Sequence, residues 1–276
     1  MDKYNYIICP SCNSKLELDA KFCGKCGISL GSNSFALNSN MNLDLNNMNI
    51  NSNSNSFDSN SNTNTNWEYI LPVLKLWVIM LFSNGALGLI IHFTKSNSLY
   101  LQLATAIFDA IFILGFIQYY EKDIFNSFSQ FKKIKDSIYN IIFALVFIFV
   151  FMKIYVGITE LMGIKYINFL YIYKQNGWPL WSAFITIAII PAIFEELAFR
   201  GFIMKRLQKI GGNNEALIIQ AIMFSVLHML PTIFISHFVI GVVLGTLYQQ
   251  SKSIYPGIIV HLLWNSIVII ENIANL

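Results

Sequence analysis

From Trp67 onward the chain reads as long apolar stretches broken by short polar turns, a pattern that predicts a bundle of membrane-crossing helices. Seven stretches stand out, at about 69–93, 99–119, 137–158, 180–204, 215–232, 234–250 and 254–273. Each runs roughly 17–25 residues, the length that crosses a hydrocarbon core. The fifth and sixth are separated only near Pro231, and the stretch 160–173 reads as an interfacial helix or as part of an eighth span.

Upstream the pattern lapses. Residues 31–66 are dominated by Asn and Ser and cannot bury enough apolar surface to offset ordering, so they are expected to be a disordered linker. Residues 1–30 are polar and cysteine-bearing, with no basic-then-apolar signal peptide. The chain therefore divides into a small module at 1–30, a linker at 31–66 and a transmembrane domain at 67–276. The fold class expected is an all-α polytopic membrane protein of about seven or eight transmembrane helices, preceded by that module and linker.

Composition sharpens this. Of 276 residues 55% are hydrophobic and only 12% are charged. A soluble domain needs roughly a quarter charged residues to cover its surface, so a lipid-embedded body is the better account. The net charge of +3 is too small to suggest nucleic acid.

All four cysteines fall in the first module. Cys9 and Cys12 form one CxxC knuckle, and Cys23 and Cys26 form another ten residues on. Two such knuckles complete a tetrahedral thiolate site for structural zinc, and the resulting module resembles short zinc ribbons. Two disulfides or a CxxC redox pair are the alternatives. Metal would supply most of the folding free energy of so small a unit, on the order of 10 kcal/mol. Lys15–Leu18 suits a short strand, and the few lysines nearby favour a protein partner for the ribbon over nucleic acid.

A thiolate zinc site implies a reducing compartment and hence a cytoplasmic amino end. Counting spans from there puts the loops 120–136 and 205–214 inside. These carry Lys122, Lys132, Lys133, Lys135, Lys205, Arg206 and Lys209, as the positive-inside rule requires. The localisation expected is the cell membrane, multi-pass, with the amino end cytoplasmic.

Ionisable groups within the spans mark the chemistry, because they are costly in lipid. The fourth span holds Glu195, Glu196 and Arg200. Glu196 and Arg200 are four apart and can pair. Glu195 points about 100° away, without an evident partner, as suits a general base. The fifth span puts Phe224 and His228 on one face, and the seventh does the same for His261 and Asn265. Measured along the helices, Glu195, His228 and His261 all lie roughly 14–20 Å from the cytoplasmic edge. Three helices thus bring polar groups to one layer.

The remaining intramembrane polar residues read more plainly. His92 and His237 are taken as packed, hydrogen-bonded residues, and Lys75 and Lys153 as snorkelling. Asp109 is either a helix–helix hydrogen bond or a functional group. Gly241 and Gly245 form a close-packing face.

The order EExxxR, FxxxH, HxxxN over about residues 180–270 resembles the CPBP group, also called Abi proteins, related to the type II CAAX prenyl endopeptidases. The resemblance implies an intramembrane endopeptidase acting on a membrane-associated peptide or protein within the lipid bilayer. In that family's terms Glu195, assisted by His228, activates water, His261 and Asn265 stabilise the oxyanion, and Glu196 with Arg200 holds the helix and the first carboxylate. A zinc-dependent variant using Glu195, His228 and His261 as ligands is the alternative mechanism, so a catalytic metal stays open. A non-catalytic bacteriocin-immunity or binding protein, and a transporter using the two glutamates as a proton relay, are the alternative functions.

Overall fold

The computed structural model describes residues 6–8, 15–17, 60–94, 99–121, 136–164, 166 and 168–276, with backbone alone for 6–8, 15–17 and 60–65. The chain separates into two compact units, Met1–Phe57 and Asp58–Leu276.

In the first unit β1 (Tyr6–Ile8) pairs antiparallel with β2 (Lys15–Glu17), in the register Tyr6↔Glu17, Ile7↔Leu16, Ile8↔Lys15. The strand expected within 15–18 is β2. Cys9, Cys12, Cys23 and Cys26 lie outside the described residues, as do linker residues 31–59 and the loop lysines Lys122, Lys132, Lys133 and Lys135.

The second unit is helical. Its long members are α1 (Asn60–Thr94), α2 (Leu99–Tyr120) and α3 (Ile138–Leu161). Helix α1 starts at Asn60, inside the segment expected to be linker; extending a nucleated helix costs far less than starting one. After α3, Gly163 adopts φ +83 and the chain turns before the five-residue α4 (Tyr171–Gln175). The stretch 160–173 is therefore not one interfacial helix: a left-handed residue ends it, at a position where glycine has no Cβ penalty.

Helix α5 spans 184–207. It is built from a π-helical segment Phe184–Ile189, an α-helical stretch Ile190–Glu196, a second π-helical segment Leu197–Met204 and a final turn Lys205–Leu207. Then come α6 (Asn213–Leu227), a 3-10 turn Pro231–Ile233, α7 (Phe234–Ser251) and α8 (Tyr255–Ala274). The fifth expected stretch, 215–232, stops early. Leu230 is extended, as the residue before a proline prefers, and Met229 is left-handed with φ 52. Among the described residues five helices are long and apolar enough to cross a membrane: Asn66–Thr94, Leu99–Tyr120, Ile138–Leu161, Pro231–Ser251 and Tyr255–Ala274. The chain is thus a multi-pass membrane protein, in which α5, broken by π segments, and the 15-residue α6 complete the bundle.

Helix α5 is the centre of that bundle. Every residue from Glu196 to Met204 is buried, whereas α1, α2 and α3 turn Phe82, Ile111 and Phe143 outward. The helix carrying the charged motif is the one most shielded from lipid, as the cost of intramembrane charge demands. Helix α7 closes onto α6 where a Cβ on Gly241 would fall 3.0 Å from Ala221 Cα and one on Gly245 2.5 Å from Leu217. This is the close-packing face that the spacing suggested.

At one end of α5, Glu121 gathers three cations: Lys205 Nζ at 2.8 Å, Lys209 Nζ at 2.9 Å and Arg206 Nη1 at 3.1 Å. Arg206 also donates to the carbonyls of Glu68 (2.7 Å) and Tyr69 (3.2 Å), tying this end of α5 to the start of α1.

Candidate active site

Arg200 is the largest fully buried side chain of the described residues. Its Nη1 donates to Glu196 Oε1 at 2.6 Å, one helical turn back, with neither side chain exposed. Nη2 donates to the carbonyl of Gly241 at 3.1 Å, an oxygen that Gln220 Nε2 also reaches at 2.9 Å. The guanidinium lies 5.0 Å from the Phe224 ring centroid, a cation–π distance. Glu196 and Arg200 thus pair as their spacing predicts, and the pair is locked to α6 and α7. Removing either partner would strand a buried charge, at a cost of about 3–5 kcal/mol.

Helix α8 presents Gly257, His261 and Asn265 at successive four-residue steps, so all three share a face. His261 bridges the glutamates, with Nδ1 3.3 Å from Glu196 Oε1 and Nε2 3.8 Å from Glu195 Oε2. Gly257 permits this approach, because a Cβ there would meet Glu196 Oε2 at 2.5 Å. Asn265 Nδ2 donates to the Ile187 carbonyl at 2.9 Å, within the first π segment of α5. π turns are uncommon and frequently accompany functional sites.

His228 is the C-cap of α6, immediately after Leu227. Its Nδ1 is 2.9 Å from the Phe224 carbonyl, and the Phe224 ring packs edge-on against it at 5.0 Å. The His237 ring, read from sequence as a packed residue, sits 4.0 Å from that of His228, with its own Nδ1 3.0 Å from the Ile233 carbonyl. It is indeed hydrogen-bonded, but it also packs against a motif residue. The chain reversal at Pro231 was the sequence signal for that proximity; for Gly257 the signal was its position one turn before His261.

A cavity of about 740 Å³ opens beside these residues. Glu195 and His228 line it, together with Tyr173, Ile187, Phe194 and Asp109. Glu195 keeps 22% of its side chain exposed where Glu196 keeps none; among the described residues the Oε2 of each has no hydrogen-bond partner. Asp109 accepts from Ser83 Oγ at 2.5 Å and Asn84 Nδ2 at 3.1 Å, both on α1. His261 and Asn265 are not lining residues; they touch Glu195 and Ile187, which are.

The donor set does not fit a metal in this arrangement. Among the described residues no three His, Cys, Asp or Glu side chains converge as a metal site would require. His261 turns both ring nitrogens toward carboxylates, and the Nδ1 of His228 is taken by a backbone carbonyl.

No curated protein and no solved structure matches the chain. Two family descriptions do: zinc-ribbon domain over residues 8–30, and type II CAAX prenyl endopeptidase Rce1-like over residues 176–267. The second match contains α5 to α7, most of α8, and each of Glu195, Glu196, Arg200, His228, His261 and Asn265. Residues 176–267 are thus similar to the Rce1-like type II CAAX prenyl endopeptidases, a family of proteases, and residues 8–30 match a zinc-ribbon domain.

Proposed function

We propose that the chain hydrolyses peptide bonds of a membrane-associated peptide or protein through a water activated by Glu195. One observation carries this reading: Glu195 lines the cavity and keeps 22% of its side chain exposed, while the adjacent Glu196 is fully buried and engaged through Oε1 by Arg200 and His261. Two neighbouring carboxylates thus have different surroundings and suit different tasks.

In this mechanism Glu195 takes a proton from water as its oxygen bonds to the scissile carbonyl carbon. The carbonyl oxygen becomes an oxyanion, and Glu195 then returns the proton to the departing nitrogen as the C–N bond breaks. His228 faces the same cavity and assists the water. Asn265, oriented through one N–H by the Ile187 carbonyl, has a second N–H to donate to the oxyanion. Glu196, Arg200 and His261 act by holding Glu195 in position. His261, assigned by resemblance to the oxyanion, also spans both carboxylates, so its first duty in this reading is orientation.

At the amino end, Cys9, Cys12, Cys23 and Cys26 hold the ribbon's zinc, and the ribbon serves a protein partner. The amino end is cytoplasmic: Arg206 ties the basic end of α5 to the start of α1, which supports both lying on one face of the membrane.

The test uses full-length protein in proteoliposomes with a quenched-peptide library. Glu195→Gln is nearly isosteric and should abolish cleavage with unfolding temperature retained. Asn265→Ala should lower turnover by roughly 10²–10³-fold. Cleavage by Glu195→Gln at the parent rate would overturn the reading.

A further inference from the structure

The cavity has two carboxylates and no lysine or arginine among its described lining residues. Glu195 is on α5, and Asp109 is on α2, outside the segment that matches the protease family. Gln102, Thr105 and Asp109 recur at helical spacing along α2, and all three line the cavity. They form a polar stripe along α2, in a cavity that apolar groups such as Met80, Ile91 and Leu103 also line.

Asp109 is held by α1. Ser83 and Asn84, the latter also a lining residue, each donate to one of its oxygens, whereas an ionised carboxylate has about four acceptor sites. Acceptor capacity therefore remains on this cavity-lining group. Joining α1 to α2 does not need an acid here, because asparagine could accept from the same serine and amide at lower cost in lipid. The charge itself calls for a reason. The only intramembrane arginine of α5 at this depth, Arg200, is already paired with Glu196, and the lysines near Glu121 sit at the helix end.

We propose that Asp109 is a specificity-determining residue that receives a lysine or arginine side chain of the substrate near the scissile bond. A basic side chain entering the cavity would neutralise a carboxylate in surroundings where few waters can do so, and there such pairing discriminates most strongly against a neutral side chain. The polar stripe would steer the flanking peptide backbone along α2 toward Glu195. This inference rests on the cavity being the substrate site, as in the proteolytic reading.

The test measures binding, so that it does not depend on turnover. Full-length Glu195→Gln protein in nanodiscs is titrated with labelled apolar peptides in which a single lysine is moved along the chain, each beside its glutamine counterpart. At one lysine position the basic peptide should bind at least about tenfold more tightly. Adding Asp109→Asn should bring the lysine and glutamine peptides of each pair to equal affinity, while adding Asp109→Glu should keep the preference. Thermal unfolding identifies any variant that has lost its fold, and Asp109→Glu then provides the comparison. Equal affinity for lysine and glutamine peptides at every position would overturn the proposal, as would a preference that survives Asp109→Asn. Residual cleavage by Glu195→Gln would instead overturn the assignment of the base and leave the binding result standing.

Discussion

The carboxylate of Glu196 rests against the bare Cα of Gly257, so closely that a Cβ there would lie 2.5 Å from Oε2. Glycine at this step of α8 is what lets His261, one turn on, reach both glutamates. Gly257→Ala should push Glu196 away and misplace Glu195 without removing any polar group. A displacement on this scale typically costs about 10²-fold in turnover. Gly115→Ala is the control, since a Cβ at Gly115 meets nothing within 4 Å. Peptide cleavage by the two variants checks the prediction; equal rates would refute it.

Arg200→Lys keeps the charge but not the fork. A lysine can pair with Glu196 but cannot also donate to the Gly241 carbonyl in the same geometry. Loss of a charge-assisted hydrogen bond in the bundle centre should cost about 2 kcal/mol, read as a lower unfolding temperature in detergent. Turnover should fall as well, because α5 loses its tie to α7.

Glu121 gives the protein a pH dependence with a defined sign. Burial alone would raise its carboxyl, but the hydrogen bonds and charges of Lys205 and Lys209 outweigh burial and hold it below the ordinary carboxylate range. A depressed value in the folded state means the cluster stabilises above the unfolded value and is lost as pH falls through the folded one. Acidification from neutral pH to below the carboxylate range should therefore lower the unfolding temperature. Glu121→Gln should be less stable at neutral pH and respond less to acid.

Removing zinc should separate the two units chemically. Full-length protein prepared under reducing conditions should contain one zinc per chain, lost on chelation and absent when Cys23 and Cys26 are both serine. Peptide cleavage should survive the same chelation, because no step proposed for Glu195 runs through a metal. Loss of cleavage that added zinc restores would refute this.

How much of this could be read from sequence depended on whether a feature changes composition. The spans 99–119, 234–250 and 254–273 lie within a residue or so of α2, α7 and α8, because polar turns interrupt their apolar runs. The stretch 215–232 failed because Met229 and Leu230 keep it apolar while backbone torsion breaks it. The π segments of α5 escape for a related reason: an i→i+5 hydrogen bond leaves no mark on hydropathy. Within the site, the Glu196–Arg200 pair was legible because both partners share a helix. The approach of His261 to Glu196 was not, since it depends on how α8 packs on α5. The same holds for Asp109, whose wall of the cavity is contributed by a helix far away in the chain.

Helix α6 has a further physical consequence. Its 15 residues rise roughly 22 Å, short of the ~30 Å hydrocarbon thickness. Main chain that lies beyond a short helix has no helical partner and lipid offers none, and here local bonds take it up. Met229 N–H reaches the Val226 carbonyl at 3.0 Å, Tyr155 donates to the Thr232 carbonyl at 2.6 Å, and Ser225 donates to the Phe234 carbonyl. One response of a bilayer to such a mismatch is local thinning along that flank. Hydrolysis consumes water, the reactant scarcest inside a membrane, and thinning beside His228 would shorten the route by which it arrives.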